Sequence, residues 1–174
     1  MSLVLTRLIM NKVFTLNNPT TAFSFALPQI VAAGTTASIA KGTPTKGADA
    51  AAASPWTGAV AIMVDGDGTT SQRFTGIAKS ASTETASAAG SVDVWLPSPT
   101  MVYNGFAKTA STADTQAEIQ ALFGKRVVFD LTSSNWTVDA AAADESTNGV
   151  VIIGGEFQTS TLYFLVSPSC TVFE

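Results

Sequence analysis

The sequence predicts a mainly β fold, a β-sandwich or barrel of about eight to ten short strands with one short α-helix near residues 115–123. Three observations predict it. Short runs in which large apolar side chains alternate with small or polar ones recur along the chain, the period-2 signature of a half-buried strand. Clusters of Gly, Pro, Asn and Asp separate those runs and supply turn chemistry. One segment alone has helix start and stop signals together with helical spacing, which argues against alternating strand–helix units.

Val13–Leu16 and Ala22–Leu27 read as strands separated by an Asn17-Asn18-Pro19 turn, with Phe23, Phe25 and Leu27 alternating in the second. Ala33–Pro55 is rich in Gly, Thr, Ala, Pro and Lys, has Ile39 as its large apolar residue, and predicts an extended, exposed loop. Gly58–Val64 and Gln72–Lys79 read as the arms of a hairpin turned by Asp65-Gly66-Asp67-Gly68. Ser91–Leu96 places Val92, Val94 and Leu96 on one face, Pro97 and Pro99 end it, and Met101–Lys108 follows. Thr115-Gln116-Ala117-Glu118 has the capping-box pattern, in which the hydroxyl and the carboxylate satisfy each other's backbone donors. Ile119, Leu122 and Phe123 then share a helical face, and Gly124 suits the stop. Lys125–Leu131, Gly149–Ile153, Thr161–Val166 and Cys170–Phe173 complete the strands, with a short helical turn expected over Ala140–Glu145.

A chain of 174 residues suits one domain. The sequence divides into an N-terminal arm or edge strands over 1–30, an extended Ala/Thr/Gly/Pro loop over 31–55 and a β-rich core over 56–174. Met10-Asn11-Lys12 reads as an alternative translation start, which would make 1–9 an upstream extension, the rival being a strand or arm on a neighbour. Met1–Leu16 is apolar, but Arg7 and Lys12 interrupt it, and the uncharged run falls short of the ~18 residues that span a bilayer. It also lacks the charge-first, small-residue-last order of a signal peptide. A membrane is therefore not an expected partner.

Charged residues make up 13% of the chain, against about 25% in an average soluble domain, and Ala and Thr fill the difference. Such a surface costs little to desolvate and is weakly protected against association, which points to life inside an assembly. With a net charge of −4 and scattered basic residues, the chain has no electrostatic footprint for nucleic acid. The single Cys170 excludes an intramolecular disulfide and reads as a small buried hydrophobe.

The reaction chemistry expected of this sequence is close to nil. The absence of His removes the commonest general base, most zinc sites and the Ser–His and Cys–His nucleophile pairs. Asp65, Asp67, Asp93, Asp130, Asp139 and Asp144 show no spacing that marks an acid/base pair and read as solvated loop acids. Asp65-Gly66-Asp67-Gly68 superficially matches a calcium loop, but the twelfth position is Gly76 where a bidentate Glu is needed. Gly154-Gly155-Glu156-Phe157 reads as a turn between two β runs, and Asn135-Trp136-Thr137 is a glycosylation acceptor pattern. Phosphate-binding glycine loops are missing, so the expected catalytic, metal and cofactor residues are none.

Phe74–Thr83 recurs as Tyr103–Thr112, 29 residues later, with six of ten pairs identical. In each copy an aromatic–x–Gly–apolar–Ala strand ends in Lys and opens into an Ala-Ser-Thr loop. Glycine there predicts a bulge or a close backbone approach, and the two strands are expected in equivalent places of a pseudo-symmetric sheet.

The run Arg73-Phe74-Thr75-Gly76-Ile77-Ala78-Lys79, its small-residue loop, and Gly90-Ser91-Val92-Asp93-Val94-Trp95 resemble the capsid-decoration proteins of tailed phages. The resemblance covers 73–96, and 57–131 more loosely, and it transfers no functional residue by position. It implies a small β-barrel or sandwich, commonly a homotrimer, made in the host cytoplasm and seated on the outer surface of the virion, where it clamps the major capsid protein. Phe14, Phe23 and Phe25 are the candidate capsid or subunit contacts, or else ordinary core residues. The alternatives are another head-fibre or tail component, and a carbohydrate- or ligand-binding β-sandwich with Trp56, Trp95 and Trp136 as a stacking platform.

Overall fold

The computed structural model describes residues 15–16, 26–31, 38–48, 59–70, 72–98 and 100–171. Their order is β1 (Thr15–Leu16), β2 (Ala26–Val31), β3 (Pro44–Gly47), β4 (Ala59–Ile62), β5 (Phe74–Ala78), β6 (Gly90–Trp95), β7 (Tyr103–Phe106), α1 (Gln116–Leu122), β8 (Arg126–Thr132), β9 (Asn135–Asp139), β10 (Val150–Glu156) and β11 (Thr161–Val166). The fold is mainly β with one α-helix among the described residues, as the period-2 runs predict.

Five strands close a small barrel in the order β2-β4-β3-β5-β6. β6 returns to β2 from Ala26↔Trp95 to Val31↔Gly90; β2 and β4 run parallel, and the other contacts are antiparallel. Val31, Ile39, Val60, Ala78, Val92 and Val94 fill the interior, with Ile62 at its margin. Where β3 meets β5, the buried Thr45 and Thr75 hydroxyls lie 2.7 Å apart, and Thr45 Oγ1 donates to the Gly76 carbonyl at 2.9 Å. Small polar side chains are tolerated inside because each finds a partner.

This barrel corrects two expectations. β3 lies within the stretch read as an exposed loop, yet Thr43 and Thr45 are buried. Its stability comes from backbone pairing on both sides and from satisfied hydroxyls, neither of which apolar patterning reports. Nor do β4 and β5 form a hairpin, since β3 sits between them. The Asp65–Gly68 segment instead runs along β8: Gly66 N donates to Phe129 O at 3.1 Å, and Phe129 N donates to Asp67 O at 2.8 Å.

The remaining strands form a sheet ordered β1-β7-β11-β10-β8-β9. Thr15–Leu16 is an edge strand, whereas Ala26–Val31 belongs to the other sheet, so the two N-terminal strands do not pair. Ser133 and Ser134, at φ 51° and 66°, turn β8 into β9 with both central residues left-handed, as a two-residue hairpin of this hand requires. At the far end, a parallel Ala107↔Val138 bridge and Lys108 N donating to Val138 O at 2.9 Å bring β9 back against the end of β7.

In α1 the capping box forms as predicted. Glu118 N donates to Thr115 Oγ1 at 3.2 Å, and Thr115 N donates to Glu118 Oε2 at 3.0 Å. Ile119 and Leu122 are buried, but Phe123 is 70% exposed. At φ −60°, ψ 124° the chain has already left the helix at Phe123, so the helical face no longer applies there. Ala140–Glu145 is not helical, because Asp139 Oδ1 accepts from Ala141 N and Ala142 N and closes a turn. Cys170 ends a 3₁₀ turn over Pro168–Cys170 and Thr171 makes a parallel bridge to Phe74, while the rest of the strand expected over Cys170–Phe173 lies outside the described residues.

One core joins the barrel to the sheet. Phe74 of the barrel meets Tyr103 edge-on at 6.0 Å and Phe129 at 5.8 Å, and Phe164 lies 5.7 Å from Tyr103. Each such pair adds about 0.5–1.5 kcal/mol beyond simple burial. All five residues of β5 are buried. The two echo strands, β5 and β7, therefore occupy different sheets and meet through their leading aromatic rings.

Candidate interaction surface

Between β5 and β6 the chain makes an eleven-residue tip, 79–89, built from Ala, Ser and Thr apart from Lys79 and Glu84. Ser82 N donates to Ile39 O at 2.9 Å while Ile39 N donates to Ser82 Oγ at 2.8 Å. Thr83 N donates to Ser91 O at 3.0 Å, and Ser91 N returns to Thr83 Oγ1 at 3.0 Å. Thr85 and Ala88 close the outer turn. Residues 85–89 are exposed on this pinned base. Lys79 Nζ lies 5.0 Å over the Trp95 ring, which occupies that charge and leaves the outer tip without a free cation. Glu84 folds inward, and neither carboxylate oxygen, both of them buried, makes a hydrogen bond.

Two buried aspartates lie elsewhere, although the sequence suggested solvated loop acids. Asp67 accepts from Lys46 Nζ and from Val64 N, both at 2.7 Å, and so ties the end of β4 to β3. Asp130 holds Lys108 Nζ at 2.7 Å and accepts from the Thr132 and Thr137 hydroxyls at 2.8 and 3.1 Å. Asp139 shares the same ammonium at 3.1 Å. Burial works to raise the Asp130 pKa, but Lys108 and the two threonines outweigh it and hold the carboxyl below its ordinary value. Hydrogen bonds to Asp130 and then Asp139 push the Lys108 ammonium up. Both groups are fixed in their charged forms, so the cluster acts as a clamp between the end of β7 and the β8–β9 hairpin.

Among the described residues, the positions singled out in the sequence are not brought together. Phe14, Phe23, Phe25 and Trp56 lie outside the described residues. Trp136 is a core residue and Trp95 packs at the core's edge beneath Lys79, so these two do not make an open stacking platform. Gly154–Glu156 belongs to β10 and the turn comes after it, over 157–160; Gly154 sits at a bulge with φ 153°. The acceptor pattern at Asn135 lies in β9, where Trp136 and Thr137 are buried. Cys170 is buried against Gly149.

Among the described residues three large apolar side chains are well exposed, Ile30 in β2, Val64 just beyond β4 and Phe123 just beyond α1. Gly124 directly after Phe123 was the available signal that the helix face ends there. Among the described residues no cluster of three or more His, Cys, Asp or Glu is placed to hold a metal, and no helix is long and apolar enough to cross a membrane. No family model, curated protein or solved structure matches the chain.

Proposed function

We propose that this chain is a structural virion protein, a decoration or cement protein that binds the outer surface of a tailed phage's major capsid lattice and stabilises it. The observation that carries this reading is the β5–tip–β6 hairpin. It makes up residues 74–95 of the 73–96 stretch on which the resemblance rests, and it couples a strand buried along its whole length to an ordered, exposed and almost uncharged tip. An ordered tip loses little conformational entropy on docking, and Ala, Ser and Thr cost little to desolvate. At roughly 25 cal/mol per Å² of apolar area, modest contacts repeated over a symmetric lattice suffice for tight attachment. On this reading the protein works as a homotrimer, and the major capsid protein is its partner.

The test is co-sedimentation with expanded empty shells of the same phage, comparing the wild type with Ala86→Glu/Ala89→Glu, two exposed tip positions. The wild type should pellet with the shells, and the variant should stay in the supernatant with an unchanged circular dichroism spectrum. Sedimentation of the free protein as a trimer is the accompanying expectation. A wild type that ignores intact shells, or a variant that binds as well as its parent, would overturn the proposal.

A further inference from the structure

The chain uses one wiring twice. In the barrel the strands, taken in chain order, form a ring in which the first and third are parallel and every other contact is antiparallel: β2-β4-β3-β5-β6, closing on β2. From β7 onward the contacts run β7-β9-β8-β10-β11, closing on β7. Again the first and third strands touch in parallel, through Ala107↔Val138, and the rest are antiparallel. A mixed five-strand ring of this order is one among many possible, so its repetition within one chain needs a cause.

Finer details agree. The parallel contact is made at Val60 in the first ring and at Val138 in the second. The fourth strands, β5 and β10, each carry a glycine of unusual backbone, Gly76 at φ 143° and Gly154 at φ 153°, although the register irregularity beside it faces the second strand in the first ring and the fifth strand in the second. Both pairs stand the same distance apart, 60 to 138 and 76 to 154 being 78 positions in each case. In both rings the loop between the fourth and fifth strands bonds to the segment after the first. Ser82 does so with Ile39, and Ser160 does so with Ala107 and Ala110.

The segments joining third to fourth strands then pair with each other. Thr69↔Asn148 is an antiparallel bridge, and Thr70 N donates to Thr147 O at 2.8 Å. At the same spacing of 78, Thr69 corresponds to Thr147 and Thr70 to Asn148. Each residue thus meets the counterpart of its neighbour, the geometry of a contact across a two-fold axis.

We infer that residues 26–95 and 103–166 are tandem copies of one five-stranded unit about an internal pseudo-two-fold axis at Thr69–Asn148, and that the chain bridges two adjacent copies of one partner subunit, one copy per unit. The second half of this rests on the capsid-decoration reading. Units related by a dyad aim their corresponding ends, the β5–β6 tip of one and the shorter β10–β11 turn of the other, in two dyad-related directions, an arrangement that suits a pair of like neighbours in a shell.

The deciding experiment images the full-length protein on expanded empty shells of the same phage by cryo-electron microscopy. The expected result is a chain whose two units rest on two different neighbouring subunits. Both units on one subunit, or only one unit touching the shell, overturns the bridging inference and leaves decoration standing. Shells that carry no bound protein overturn decoration and bridging together.

Discussion

Gly76→Ala is the sharpest test of how the barrel closes. At φ 143° the backbone of Gly76 is one that residues with a side chain rarely adopt. An added Cβ would run into the Trp95 carbonyl oxygen, and would stand 2.5 Å from Val94 Cγ1 and 2.9 Å from Trp95 C. Since ordinary carbon contacts lie near ~3.5–4.0 Å, β5 and β6 would have to separate by about 1 Å. They are joined over a short stretch, Ile77↔Trp95 and Ala78↔Val94 with Lys79 N donating to Asp93 O just beyond, so that separation opens the ring. Backbone strain of about 1–3 kcal/mol and overpacking of about 1–3 kcal/mol combine to a loss of roughly 3–5 kcal/mol. At about 2–4 °C per kcal/mol for a chain this size, the melting midpoint should fall by about 6–20 °C. The control is Gly66→Ala. Its φ is 78°, but a Cβ there meets nothing within 4 Å, so only about 1–2 kcal/mol of strain is expected. Urea titrations of the two variants, followed by far-UV circular dichroism, measure the difference. Equal losses in both would refute the close-approach argument.

Further predictions concern the other features. Ser133→Asn/Ser134→Gly places the preferred residues at two left-handed, exposed positions and should raise stability by about 1 kcal/mol, read from the urea midpoint. Glu84→Met removes a buried carboxylate that has no hydrogen-bond partner and should stabilise the fold at neutral pH by about 1–3 kcal/mol; a lower midpoint would show that the carboxylate is needed where it is. For the Asp130–Lys108 clamp the signs are opposite. Asp130 is held below the ~3.9 of an unfolded aspartate, so its contribution is full above about pH 4 and fades as pH falls through its folded value. Lys108 is held above ~10.4, so its contribution is full below that and fades as pH rises through its folded value. Asp130→Asn should therefore flatten the acid limb of a stability-against-pH curve while lowering the neutral plateau.

Strands with one wet face were legible. In β6, β8 and β11 the buried positions Val92 and Val94, Val127 and Phe129, and Leu162 and Phe164 alternate as a half-buried sheet requires. The helix start was legible because its capping chemistry is local. β3 was not, since Thr, Lys and Gly give no apolar rhythm, and β9 was not, since Trp136, Thr137 and Val138 are all buried and break the alternation. Strand order was hidden as well. Proximity in sequence suggested β4 against β5, but nothing in either strand records that β3 inserts between them. The Phe74/Tyr103 echo pointed to real partners in one core, while the duplicated wiring has a different period and almost no shared residues. Of the interaction surface, the small-residue tip could be read directly. Its fixed shape could not, because that depends on Ser82 reaching Ile39 across 43 positions.

The Thr69–Asn148 pairing also decides how the molecule carries force. A pull that slides one half past the other along these antiparallel segments loads the Thr69–Asn148, Thr70–Thr147 and Gly68–Gly149 links side by side, so they must fail together rather than peel one after another. Phe129, which packs with the rings of Phe74 and Phe164, lies against Gly68 at the same seam and would be exposed in the same step. The joint is therefore strongest against shear and weakest against prying.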